Sequence, residues 1–118
     1  MRVNGVVKAL LGIIARAPQD DFPDVKDIDK LIHEPARLIL MANLYVVEST
    51  DFRFLVNQTG LTFGNLSSHM SKLEAAGFIY VEKAFVDKKP NTRFSLTEEG
   101  RRAFADYKDR MRHLFSDL

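Results

Sequence analysis

Apolar residues fill most of positions 3–17, from Val3 to Ala17, and leave little polar face, so a helix here would need a partner around much of its circumference. Pro18 and the run Gln19-Asp20-Asp21-Phe22-Pro23-Asp24 break that pattern. Residues 1–24 are therefore expected to form an N-terminal helix and linker, a candidate dimerisation element, ahead of a single domain at 25–118. Val25 to Ile32 predicts a short helical turn that ends before Pro35, because a residue preceding proline is pushed out of the helical region. Pro35 suits the first turn of a new helix. Ala36, Leu38 to Ala42 and Leu44 to Val47 then continue it as a strongly apolar core element of about three turns.

Ser49-Thr50-Asp51 offers a stop and a fresh N-cap. Phe52 to Thr59 follows with Phe52, Leu55 and Val56 at helical spacing, and Gly60 supplies a left-handed C-cap. Thr62 caps a helix from Phe63 to Ala76 that turns Leu66, Met70 and Leu73 to one side and stops at Gly77. The pattern then changes to strand-like at Phe78 to Val86, a turn at Asp87-Lys88-Lys89-Pro90-Asn91, and a second strand at Thr92 to Leu96. Thr97 caps a last helix with Glu98 and Glu99 in its first turn and Arg110, Arg112 and His113 toward its end, as the helix dipole favours. The expected fold class is mainly α with a small β-hairpin.

Composition narrows the function classes. The chain has 118 residues, 46% hydrophobic and 28% charged, typical of one water-soluble globular domain. It has no cysteine, which removes disulfides, zinc-thiolate sites and a thiol nucleophile, and makes the cytoplasm the expected location. The apolar N-terminal run is too short to span a bilayer, and no A-x-A-like cleavage site follows it, so neither membrane nor export is expected. Net charge is only +1, with 6 Lys+Arg against 7 Asp+Glu in residues 1–49 and 11 against 9 in residues 50–118. A nucleic-acid partner must therefore be argued from where the charges lie.

The order of caps, glycines and strands carries a resemblance. The segment Gly60-Leu61-Thr62-Phe63-Gly64-Asn65-Leu66-Ser67-Ser68-His69-Met70-Ser71-Lys72-Leu73-Glu74-Ala75-Ala76-Gly77-Phe78-Ile79 resembles the recognition-helix region of winged helix-turn-helix transcriptional regulators of the MarR and ArsR type. Phe94-Ser95-Leu96-Thr97-Glu98-Glu99-Gly100 is similar to their exit from the wing, and Leu31-Ile32-His33-Glu34-Pro35-Ala36-Arg37 to their opening segment. The match spans roughly residues 31–104. It implies a winged helix-turn-helix with extra N-terminal and C-terminal helices, sequence-specific binding of double-stranded DNA, and a homodimer formed through the terminal helices.

Helical geometry can be set beside that resemblance. At about 100° per residue, Gly64, Asn65, Ser68 and Lys72 cluster opposite Leu66, Met70 and Leu73, with Ser71 and Ala75 at the edge. A small polar face can descend into a major groove about 12 Å wide, where Asn pairs with adenine and Ser with several partners. Thr62 adds a phosphate-binding corner at the helix start. Thr62, Gly64, Asn65, Ser67, Ser68, His69 and Lys72 are the expected DNA contacts of the helix. Lys88, Lys89 and Arg93, flanking Pro90-Asn91 at the hairpin tip, are those of the wing. An ordinary solvated face and a turn with edge-protecting lysines are the alternatives.

His69 lies between the two faces, with phosphate contact or packing as its expected role. His33 and His113 are isolated, so no metal site is expected. Asp20, Asp21, Asp24, Asp27 and Asp29 lack calcium-loop spacing and read as a solvated acidic linker. No G-x-S-x-G, phosphate loop, dinucleotide fingerprint or H-E-x-x-H occurs, so neither an enzyme nor a cofactor is expected. Phe104, Tyr107, Met111, Leu114 and Phe115 recur at helical spacing in the last helix, more apolar surface than one core needs and an expected dimer face. Pairing about a twofold axis would set two recognition helices roughly 34 Å apart on a palindromic site. A small-molecule effector is left open, with no pocket residue identified. The rival function is a winged helix that binds protein without specific DNA binding.

Overall fold

The computed structural model describes residues 24–116 and 118. The expected N-terminal helix at 3–17, with Asp20 and Asp21, lies outside the described residues. The chain enters through a 3₁₀ turn, Val25–Asp27, closed by a capping box between Asp24 and Asp27. This is shorter than the helical turn expected to Ile32. The Asp29 carboxylate accepts from the Leu31 and Ile32 N–H groups, and that side-chain turn competes with helix continuation. The three described aspartates are thus engaged rather than merely solvated: Asp27 also lies 3.8 Å from Arg110 on the last helix.

Helix α1 (Pro35–Val46) has proline at its first turn and Glu34 as N-cap, its carboxylate accepting from the Arg37 N–H. Strand β1 is only Thr50–Asp51. Asp51 then caps helix α2 (Phe52–Thr59), which ends on Gly60 at φ 72°. Thr62 caps helix α3 (Phe63–Ala75). Gly77, at φ 80°, ends it in a Schellman arrangement: its N–H donates to Glu74 O and the Phe78 N–H donates to Leu73 O. Strands β2 (Ile79–Val86) and β3 (Lys89–Leu96) form the hairpin, and helix α4 (Glu98–Ser116) closes the chain.

The sheet has three antiparallel strands in the order β1-β3-β2. β1 is too short to show alternation in sequence; it exists because Thr50 and Asp51 pair with Phe94 and Arg93 more than forty residues away. The hairpin also differs from expectation at its tip. The turn is the dipeptide Asp87-Lys88, both at positive φ (52° and 66°), and Pro90 and Asn91 belong to β3, opposite Phe85 and Ala84. Two positive φ angles are the mark of the I′ turn, whose twist matches that of the strands. Its usual Asn-Gly signal is absent here, so the expected turn, Asp87 to Asn91, contains the observed one but extends three residues beyond it.

One core joins α1 to α4 and the sheet: Ile32, Leu40, Met41, Leu44, Leu55, Leu66, Met70, Leu73, Ile79, Phe94, Leu96, Phe104 and Tyr107. Phe104 and Tyr107, expected at a subunit interface, are buried within this chain, and Met111, partly buried, packs against the same core. Burial pushes the Tyr107 phenol above its ordinary pKa, and its hydroxyl hydrogen-bonds His33 Nδ1 at 2.7 Å. Uncovered apolar surface on α4 and beyond is confined to its far end, at Phe115 and Leu118. The architecture is a winged helix: α2 and α3 as helix-turn-helix, the hairpin as wing, α4 as the added C-terminal helix.

Candidate nucleic-acid interface

The orientation of α3 follows from its buried side. Leu66, Met70 and Leu73 are anchored in the core, so Gly64, Asn65, Ser68 and Lys72 face solvent. Thr62 is exposed at the helix start, its hydroxyl accepting from the Asn65 N–H at 3.2 Å. Among the described residues Gly64 has nothing within 4 Å of where a Cβ would stand, so their packing does not require glycine there. Ser67 and Ser71 turn toward the hairpin, lining a cleft of about 160 Å³ with Phe52, Val81, Thr92 and Phe94.

His69 is half-buried and turned onto the start of α1. Arg37 binds it there: Nη1 lies 3.2 Å from His69 Nδ1, while Arg37 Nε donates to Leu31 O at 2.6 Å. Glu34 Oε2 stands 3.7 Å from the same His69 nitrogen. A guanidinium can only donate, so Nδ1 must accept, and a neutral ring then carries its proton on Nε2. The Arg37 N–H above all, followed by that of Ala36 and the Arg37 charge, holds the Glu34 carboxyl below the ordinary range against the effect of burial.

The wing residues separate. Lys88 sits in the turn and Lys89 opens β3, both exposed. Arg93 is not at the tip: it lies at the base of the wing, beside β1, with Nε donating to Ser49 Oγ at 3.0 Å and Nη1 3.9 Å from Asp51. Its placement needed the β1–β3 pairing, which no local pattern discloses. That same register brings forward residues the sequence reading passed over. Lys83 pairs with Thr92 and Phe85 with Pro90, on the face of the hairpin that looks onto α3. Beside it, a groove of about 600 Å³ runs between α2 and β3, lined by Arg53, Asn57, Phe63, Pro90 and Asn91 among others. Exposed Phe63 stacks on Phe52 with centroids 4.6 Å apart, forming its aromatic floor.

Residues 36–115 match the family described as winged helix DNA-binding domain. The chain belongs to this family. The winged helix-turn-helix is shared with solved regulators. A transcriptional regulator homologue from Pyrococcus horikoshii OT3 superposes with a TM-score of 0.69 at 26% identity, over 73% of this chain and 85% of that one. A MarR-family regulator from Silicibacter pomeroyi does so at 0.57 and 23% identity, over 78% and 59%. The repressor CouR, solved on a 23-mer DNA duplex, gives 0.64 at 20% identity over 99% and 84%. An uncharacterised protein of Methanocaldococcus jannaschii is 35% identical over 78 residues, 66% of this chain and 85% of that protein. The fold is thus one that solved transcriptional regulators share. Among the described residues no helix is long and apolar enough to cross a membrane.

Proposed function

We propose that this winged-helix protein is a sequence-specific transcriptional regulator, acting as a homodimer on double-stranded DNA in the cytoplasm. The observation that carries the reading is the division of α3: an inner side locked by Leu66, Met70 and Leu73, and an outer side of small polar residues that stays exposed among the described residues. Asn65 and Ser68 supply base-edge hydrogen bonds in the major groove. Lys72, Thr62 and the Nε2–H of His69 serve phosphate oxygens, and Lys88 and Lys89 hold the flanking backbone. Arg93 acts indirectly, by fixing the base of the wing. Pairing of two copies uses the terminal segments, with Phe115 and Leu118, 65% and 52% exposed, in the contact.

Selection of bound duplexes from random sequence, followed by gel shift, tests the reading. A palindromic site, affinity that falls steeply with salt, and loss of specific binding in Asn65→Ala plus Ser68→Ala are expected. Specific binding untouched by that double substitution would sink the assigned face. No selection above background, with a protein partner captured in its place, would favour the protein-binding alternative that the near-neutral charge of +1 permits.

A further inference from the structure

The outer half of the wing combines apolar and cationic side chains in a way that its fold does not need. Phe85 is 76% exposed and Val86 49%, although both lie in a regular strand. Phe85 is directly opposite Pro90, and this pair shares its face with Lys83 and Thr92, the face directed toward α3. Lys83, Lys88 and Lys89 are all exposed, and none takes part in an ion pair or side-chain hydrogen bond among the described residues. The nearby acids are Asp87 in the turn and Glu82, which stands opposite Arg93. Arg93 itself is held by Ser49 and Asp51, so the tip offers no guanidinium. Two non-glycine residues at positive φ keep the tip tight and projecting.

We infer that the wing tip is an apolar wedge for duplex DNA: Phe85, backed by Pro90, enters the minor groove beside the site faced by α3 and unstacks a base step. The inference rests on the DNA-binding reading above and specifies how the wing acts. Charge selects the occupant. Lys83 on the face of Phe85, Lys88 in the turn and Lys89 on the opposite face make the tip cationic and complement a groove edged by phosphates, whereas two such tips would repel one another in self-association. Apolar side chains inserted from the minor groove kink a duplex toward the major groove, presenting more of it to the protein. The wing would then read the deformability of the flank, favouring flexible pyrimidine–purine steps, while α3 reads base edges.

The test uses the full chain and a duplex selected by it, with 2-aminopurine placed at successive flanking positions and end-labels for energy transfer. Wild-type binding should raise 2-aminopurine fluorescence at one flanking step and shorten the end-to-end distance. Phe85→Ala should abolish both signals and weaken binding roughly tenfold, with an unchanged salt slope because a phenyl ring releases no counterions. Phe85→Leu should restore them. The exposed position keeps the variant folded, as an unaltered melting temperature would verify. Tight wild-type binding without unstacking at any step overturns the wedge alone, as does Phe85→Ala with full signals or with a changed oligomeric state only. Failure of the wild type to select any duplex overturns the DNA-binding reading itself, and the wedge with it.

Discussion

Gly100, in the first turn of α4, lies so close to Phe78 that a Cβ there would overlap the Phe78 carbonyl oxygen. Thr97 ties the two together. Its N–H donates to Phe78 O at 3.0 Å, its hydroxyl donates to Gly77 O at 2.6 Å, and that hydroxyl accepts from the Gly100 N–H at 2.9 Å. The end of α3, the start of β2 and the start of α4 are thereby fastened at one point. Gly100→Ala must push α4 away, and is expected to cost about 2–3 kcal/mol, a fall in Tm on the order of 10 °C by thermal denaturation.

Gly64 provides the opposite case. Space around it is open, so Gly64→Ala should stabilise α3 by about 0.5–1 kcal/mol and raise Tm. If the helix approaches a groove at this point, the added methyl should also weaken binding to a selected duplex, by roughly tenfold. A more stable protein that binds as before would move the contact elsewhere on the helix.

The turn Asp87-Lys88 holds two side chains in the left-handed region. Lys88→Gly should relieve that conformation and stabilise the hairpin by about 1 kcal/mol, measurable by urea denaturation. The same change removes a cation from the wing, so the slope of log affinity against log salt should fall by about one unit.

Two helix caps predict the acid limb of stability. The Phe54 N–H above all, then the Asn91 amide and the Arg93 and Arg53 charges, holds the Asp51 carboxyl below its ordinary pKa against the effect of burial. Glu34 is lowered in the same sense. Each folded-state pKa is depressed, so the stabilisation is complete above the unfolded value near pH 4 and is lost as pH falls through the folded value. Asp51→Ala and Glu34→Ala should each be less stable at pH 7 by about 1 kcal/mol. Each should also show a shallower acid limb in denaturation curves measured between about pH 7 and pH 2.

Most of the helices could be read from the chain because their signals are local. Caps at Asp51, Thr62 and Thr97, stops at Gly60 and Gly77, and apolar spacing at Leu66, Met70 and Leu73 each act within a few residues. Glu34 was not foreseen as a cap, since glutamate is a weaker capping signal than Ser, Thr, Asp or Asn. The exposed polar face of α3 followed from spacing alone, because burial of one side of a helix dictates the other.

The wing was less legible. Its strands and turn showed in their composition, but the end of the turn did not, since Asp-Lys lacks the glycine that usually marks a I′ turn. The position of Arg93 at the base, and of Lys83 and Phe85 on the face toward α3, depends on register, and register is a property of two strands together.

By itself, then, the sequence determined where α2 and α3 begin and end, which side of α3 faces outward, and that a hairpin follows, because capping, periodicity and β-propensity are short-range physics. Tertiary structure decided that Thr50–Asp51 becomes a strand and that Arg93 is held by Ser49 and Asp51. It also placed Arg37 on His69, and Phe104 and Tyr107 in this chain's own core rather than an interface. Those partners lie 32 to 44 residues apart for the two arginine hydrogen bonds, and only the folded chain closes such loops, bringing together groups whose local surroundings carry no record of each other.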